Sequence, residues 1–201
     1  MPEAVIFDYG VGNLLSLKCA LEKVGLEVEI GVSEQQLKKA DAIALPGVGS
    51  FSAVATRLDA VRETLLNAVE NGTPLFGICL GMQLLFPASE EGPGKGLALF
   101  EGQNIRLQGE VKVPHMGWNT LRLVKQNLIF DGVTDESYVY FVHSLFPIPA
   151  DKEIVASETE YGTTFASAIT SKNVLGTQFH PEKSGAIGLK ILENFVKIVK
   201  R

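Results

Sequence analysis

Two short stretches carry residue types that could do covalent chemistry. The first is Gly77-Ile78-Cys79-Leu80-Gly81. A cysteine with a glycine two residues to either side is the pattern of a nucleophile elbow, with Cys in place of Ser. The apolar run after Pro74 reads as a buried strand, and Met82, Leu84, Leu85 and Phe86 begin a helical pattern. A strand-to-helix corner crowds its neighbours, and residues without Cβ relieve the crowding. The corner sets the thiol at a helix N-terminus, where the dipole and free N–H groups favour a thiolate and an oxyanion alike. Taken alone, the five residues also suit a free cysteine packed as a small hydrophobe.

The second stretch is Thr177-Gln178-Phe179-His180-Pro181-Glu182. A thiol nucleophile needs a base, and the base needs an orienting group. The chain has three histidines, His115, His143 and His180, and His180 alone precedes a proline. That position is biased to extended backbone, where residues two apart point to the same side. His180 and Glu182 can therefore face one site, with the carboxylate orienting the imidazole. The order Cys, His, Glu differs from the Ser, Asp/Glu, His order of α/β-hydrolases.

The elements that must position these residues alternate. Ala4–Asp8 reads as a strand, then a glycine turn, then a helix from about Leu14 to Val24 closed by Gly25. Glu27–Ile30 is a strand, Glu34–Lys39 a short helix, and Asp41–Leu45 a third strand. The glycine-rich loop Pro46–Phe51 enters a helical region reaching about Asn71, in one or two pieces, before the Pro74 strand. Such alternation implies a parallel sheet with helices on both faces, whose ligands bind at the C-terminal strand ends. The Gly47 loop and Cys79 both fall at such ends and can share a crevice. Gly10-x-Gly12 lacks the third glycine of a dinucleotide fingerprint, and Cys19 reads as a packing residue in its helix.

The second half changes character. Ile105–Leu107, Val111–Val113, Leu121–Val124, Tyr138–His143, Ile154–Glu160, Phe165–Thr170 and Val174–Phe179 are short and rich in β formers. They read as antiparallel additions to the sheet, not as a second domain. Gly185–Lys200 closes the chain as an amphipathic helix. The expected fold is thus one α/β domain over 1–201, with a mostly parallel central sheet, helices on both faces and antiparallel strands added in the C-terminal half.

Bulk composition sets limits. The 201 residues are 46% hydrophobic and 20% charged with net charge −5, the balance of an ordinary globular chain. An acidic chain disfavours a nucleic-acid-binding face. Two cysteines are too few for a disulfide scaffold, and neither has a metal-ligand spacing, so no metal or other cofactor is expected. A reducing, cytoplasmic setting follows. No signal peptide and no membrane span is read.

The elbow with His180-Pro181-Glu182 resembles the class I, or triad, glutamine amidotransferases. Further motifs are similar to the glutaminase subunits of imidazole glycerol phosphate synthases, from histidine biosynthesis: Asp8–Asn13, Pro46–Phe51, Pro114-His115-Met116-Gly117-Trp118-Asn119, Tyr140–Ser144 and His180–Ser184. The resemblance implies that Cys79 attacks the side-chain amide of glutamine, that His180 moves the proton and that Glu182 holds His180. It puts the oxyanion between the backbone N–H groups of Val48 and Leu80, and glutamine against Gly47, Gly49, Gln83, His143 and Ser144. Many relatives carry Tyr after His-Ser, whereas here it is Leu145. The resemblance also implies a heterodimer with a separate (β/α)8-barrel cyclase subunit that uses the ammonia, for which Asn13, Trp118 and Lys183 are candidate contacts. A flipping Gly47-Val48-Gly49 peptide would let that partner gate the oxyanion site. The alternatives are the glutaminase of another synthase (for pyridoxal phosphate or nucleotides), a non-catalytic binding domain on this fold, and a cysteine peptidase.

Overall fold

The computed structural model describes residues 1–10, 13–47 and 49–201. Its first half alternates β1 (Glu3–Phe7), α1 (Leu14–Lys23), β2 (Glu27–Gly31), α2 (Glu34–Lys39), β3 (Ala42–Leu45), α3 (Phe51–Leu58), α4 (Arg62–Glu70), β4 (Leu75–Ile78) and α5 (Leu80–Gln83). Its second half holds β5 (Gly102–Arg106), β6 (His115–Leu123), β7 (Ser137–His143), β8 (Leu145–Pro149), β9 (Val155–Tyr161), β10 (Thr163–Ser171), β11 (Val174–Thr177) and α6 (Gly185–Val199).

Nine strands form one sheet in the order β2-β1-β3-β4-β11-β10-β9-β6-β7. The first five are parallel and the remainder antiparallel. Every residue of β3, β4 and β11 is buried. A strand covered on both faces reads as a continuous apolar run, and this is why the parallel half was legible. One face packs Ile6, Ala44, Phe76 and Ile78 against Leu17 and Leu21 of α1 and Ile191, Leu192 and Phe195 of α6. The other packs Val5, Ile43, Leu45 and Leu75 against Val54, Leu58 and Leu65 of α3 and α4. No helix among the described residues is long and apolar enough to cross a membrane.

Several local expectations are corrected. Val111–Val113 is not a strand: Val113 is exposed, and Pro114 behind it has no N–H for a ladder. β6 starts at His115, so the Pro114–Asn119 motif is mostly strand. β8 has no clear strand pattern in sequence, since Leu-Phe-Pro-Ile-Pro carries two prolines, which fit only an edge or short ladder; it pairs with β5 alone, apart from the main sheet. The helix after Cys79 is a single turn: the Leu84 and Leu85 carbonyls accept from the N–H groups of Leu97 (2.6 Å) and Leu99 (2.9 Å) rather than from a further helical turn, and Pro87 follows. The helical region up to Asn71 agrees with the sequence reading in its two-piece form, broken at residues 59–61.

Candidate active site

Cys79 sits in the corner between β4 and α5 with φ 52° and ψ −105°. A positive φ in a residue with a side chain is strained and is seen at functional corners. The flanking glycines are required by close packing. A Cβ at Gly77 would lie 2.6 Å from the Gly81 carbonyl carbon, and one at Gly81 would overlap the Leu45 carbonyl. A Cβ at Gly47 would lie 2.6 Å from the Cβ of Cys79. β3, β4 and the start of α5 thus meet backbone to backbone, which presses the Gly47 loop against the cysteine.

The Cys79 N–H donates to Thr177 O at 2.6 Å, at the end of β11. Three residues on is His180, whose N–H donates to Tyr140 O at 2.9 Å. The Ser184 hydroxyl donates to His180 O (2.6 Å) and accepts from Tyr140 N (3.0 Å). The histidine backbone is therefore fastened to β7, whose far end brings Val142 O to 3.6 Å from Cys79 Sγ. Three separate chain segments, from β4, β11 and β7, converge on one point.

The His180 ring is almost fully buried, and its Nδ1 lies 2.7 Å from Glu182 Oε1. The pair forms around a 3₁₀ turn, Pro181–Lys183, rather than along the extended segment the proline suggested. Nε2 is buried and has no hydrogen-bond partner among the described residues. Burial opposes a charge on His180, but the neighbouring Cys79 sulfur and the Glu182 carboxylate together outweigh it and raise its pKa to about 10. The sulfur is thus close enough to act on the imidazole, though hydrogen-bond geometry with it is not met.

A pocket of about 250 Å³ opens at Cys79, and Gly47, Gly49, Leu80, Gln83, His143 and Ser144 all line it. Val48 lies outside the described residues. Glu91 lines the pocket too and was missed, since the Glu90–Gly96 stretch has no periodicity to place it. Its carboxylate accepts from the Phe51 N–H at the start of α3. A wider groove of about 740 Å³ between α1 and α6 touches Glu182 but not Cys79.

The other two histidines form a buried pair that sequence reasoning did not foresee. His143 Nδ1 lies 2.9 Å from Leu145 O. A carbonyl only accepts, so Nδ1 carries the proton and Nε2 accepts from His115 Nδ1 at 3.0 Å. Burial holds His115 at a pKa of about 4. Burial also outweighs the Leu145 hydrogen bond and holds His143 at about 3. Both are neutral, and the His143 ring has no nitrogen left for a ligand.

The three partner-contact candidates are exposed. Asn13 caps α1, its Oδ1 accepting from Ser16 N at 3.3 Å. Trp118 is 55% exposed on β6, with an edge-on contact to Tyr140. Lys183 lies on the 3₁₀ turn behind His180. Among the described residues, no group of three or more His, Cys, Asp or Glu side chains could hold a metal.

The family model for class-I glutamine amidotransferases matches residues 5–199. An imidazole glycerol phosphate synthase subunit HisH from Methanothermobacter thermautotrophicus is 46% identical, over 97% of this chain and 98% of that one. A protein of the same name from Geobacillus kaustophilus is 47% identical, over 96% and 95%. Among solved structures, PurLQS from Thermotoga maritima (TM-score 0.79, 20% identity, 98% of each chain) is similar in fold. So is a putative GMP synthase protein from Thermoplasma acidophilum (0.78, 20%, covering 100% and 94%). With a family model matched over residues 5–199 and relatives 46–47% identical covered almost end to end, the chain belongs to the class-I glutamine amidotransferases, in the family of imidazole glycerol phosphate synthase HisH subunits.

Proposed function

We propose that the chain hydrolyses glutamine at Cys79 and supplies the ammonia to a cyclase partner in histidine biosynthesis. The observation that carries this reading is the base itself: His180 is oriented through Nδ1 by Glu182, with Nε2 buried and uncommitted beside the elbow cysteine. Sγ attacks the amide carbon of the glutamine side chain with its proton already held on Nε2, since His180 keeps a proton up to about pH 10. The negative charge on the amide oxygen is received by the Leu80 N–H, in the first turn of α5 where helix donors have no intrahelical partner, and by the Val48 N–H. His180 returns the proton to the departing nitrogen, leaving a γ-glutamyl thioester on Cys79. A water that gives its proton to Nε2 then releases glutamate and restores the thiol.

Specificity for a free amino acid has a source in the same pocket. Glu91 offers a carboxylate to an α-ammonium group. Gln83 offers its carbonyl oxygen, since its Nε2 already donates to Leu145 O (2.9 Å) and Gln178 Oε1 (3.2 Å).

The partner we infer is the (β/α)8-barrel cyclase that the sequence resemblance implies, joined in a heterodimer; that the similar HisH chains are named as subunits of a synthase supports a partner. It would convert its nucleotide substrate and ammonia to imidazole glycerol phosphate and aminoimidazole carboxamide ribotide. The exposed face of β6 and β7 supports an interface: Met116, Trp118 and Tyr138 are 63%, 55% and 62% exposed. Met116 pairs with Val142, the residue whose carbonyl meets Cys79. A large exposed apolar face beside a site marks a docking surface. The glycine loop at Gly47–Gly49 completes the oxyanion site when the partner is bound.

The test is glutamate release by the purified chain, alone and with the barrel subunit plus its nucleotide ligand. Stimulated release is expected, abolished by Cys79→Ala and lowered about 10²–10⁴-fold by His180→Ala. Equal release in both conditions would reject the gate, and no release in either would reject the glutaminase.

A further inference from the structure

Gln178 is fully buried between β11 and His180, and so far it has entered only as an acceptor for Gln83. Its backbone is fixed, the N–H donating to Ser167 O at 2.9 Å. Its side chain bridges two groups of the site. Gln83 Nε2 donates to Leu145 O, which as a carbonyl can only accept. That fixes which way the Gln83 amide faces, so the Gln178 atom 3.2 Å from the same Nε2 must be its acceptor, Oε1. The other end of the Gln178 amide is then a donor, and it lies 3.5 Å from Cys79 Sγ. One rigid amide thus reads the orientation of Gln83 and aims an N–H at the sulfur. The same Leu145 carbonyl also takes the His143 Nδ1 proton, so the bridge is anchored to β8 and, through His143 and His115, to β6.

We infer that Gln178 is a positioning residue for the glutaminase reaction. Its Nε2–H holds the Cys79 sulfur on the pocket side of the elbow and stabilises negative charge there. Its Oε1 keeps Gln83 turned so that the Gln83 oxygen, not its nitrogen, faces the substrate. The second role rests on the glutaminase reading; the first does not, since it concerns the sulfur alone. A hydrogen bond to a charged group contributes roughly 10- to 100-fold in such an equilibrium.

The sulfur can be read without glutamine. Iodoacetamide alkylates both cysteines, and Cys19, exposed on α1, serves as an internal reference in every sample. Peptide mass spectrometry then gives the Cys79-to-Cys19 alkylation ratio at neutral pH. In Gln178→Met, which keeps the shape and loses both hydrogen bonds, the ratio is expected to fall about 10- to 100-fold. A merely loosened fold would move it the other way, because Cys79 is 5% exposed and unfolding uncovers it. Gln178→Asn keeps the site polar while drawing the amide back from the sulfur, and the same fall is expected there. In glutamate release with the partner present, Gln178→Met should lower kcat and raise KM. A ratio equal to or above that of the parent chain, in both variants, overturns the inference, whether or not the chain releases glutamate.

Discussion

His180 couples this site to pH. An unfolded histidine titrates near 6.5, whereas burial, opposed and outweighed by Cys79 and Glu182, leaves the folded one near 10. The folded chain holds that proton more tightly, so the contribution to stability is fully present below about pH 6.5 and is lost as pH rises through about 10. His115 and His143 act in the opposite direction. Their folded values of about 4 and 3 mean that stability falls as pH drops below 6.5, where the unfolded chain binds protons the folded chain refuses. Denaturant titrations from pH 4 to 10 are therefore expected to show a maximum near pH 6 to 7 from these residues. In Glu182→Gln the alkaline loss should shrink, since the partner that helps hold the proton is gone. An unchanged alkaline limb would mean that Glu182 does not charge His180.

The elbow is decided by how closely its elements approach, and the Gly47 loop is its most sensitive part. A Cβ at Gly47 meets the Cys79 Cβ and the Ile78 carbonyl, both fixed by β4. Gly47→Ala is expected to cost about 1–3 kcal/mol of stability, the range for overpacking. It should also lower kcat about 10²–10³-fold, the worth of an oxyanion donor displaced with the loop. Thermal unfolding and steady-state kinetics on one preparation separate the two. At this scale much was legible beforehand. Strand-helix alternation and continuous apolar runs gave the parallel half, and Gly-x-Cys-x-Gly gave the corner, because local sterics dictate both. The antiparallel half was legible only in outline. β8 hides behind Pro147 and Pro149. The His115–His143 pair exists only because β6 and β7 set those residues opposite each other, a register that no local pattern reveals. Glu91 and Gln178 are likewise brought to the site by tertiary packing from segments whose own sequence announces nothing.

Over the whole molecule, the site lies where parallel and antiparallel strands meet: β4 carries the nucleophile, β11 leads to the base, and β7 closes over both. The outer face of β6 and β7 carries exposed Met116 and Trp118 on β6 and Tyr138 on β7, so a partner docked there touches the strand that holds Val142 over the sulfur. Trp118→Ala is expected to weaken binding of the barrel subunit by at least about tenfold, since aromatic anchors dominate interfaces. It should leave the melting temperature of the isolated chain nearly unchanged, because the side chain is half exposed. Sedimentation or calorimetric titration gives the first quantity, and undiminished affinity would move the interface elsewhere.

The central claim is that Cys79 attacks the glutamine side chain. It is tested most directly by 6-diazo-5-oxo-norleucine, a glutamine analogue that alkylates the attacking group, with peptide mass spectrometry of the labelled complex. The expected result is one adduct, on the peptide holding Cys79, that excess glutamine suppresses and that His180→Ala slows. Label on Cys19 alone, or label on Cys79 that glutamine does not suppress, would contradict it.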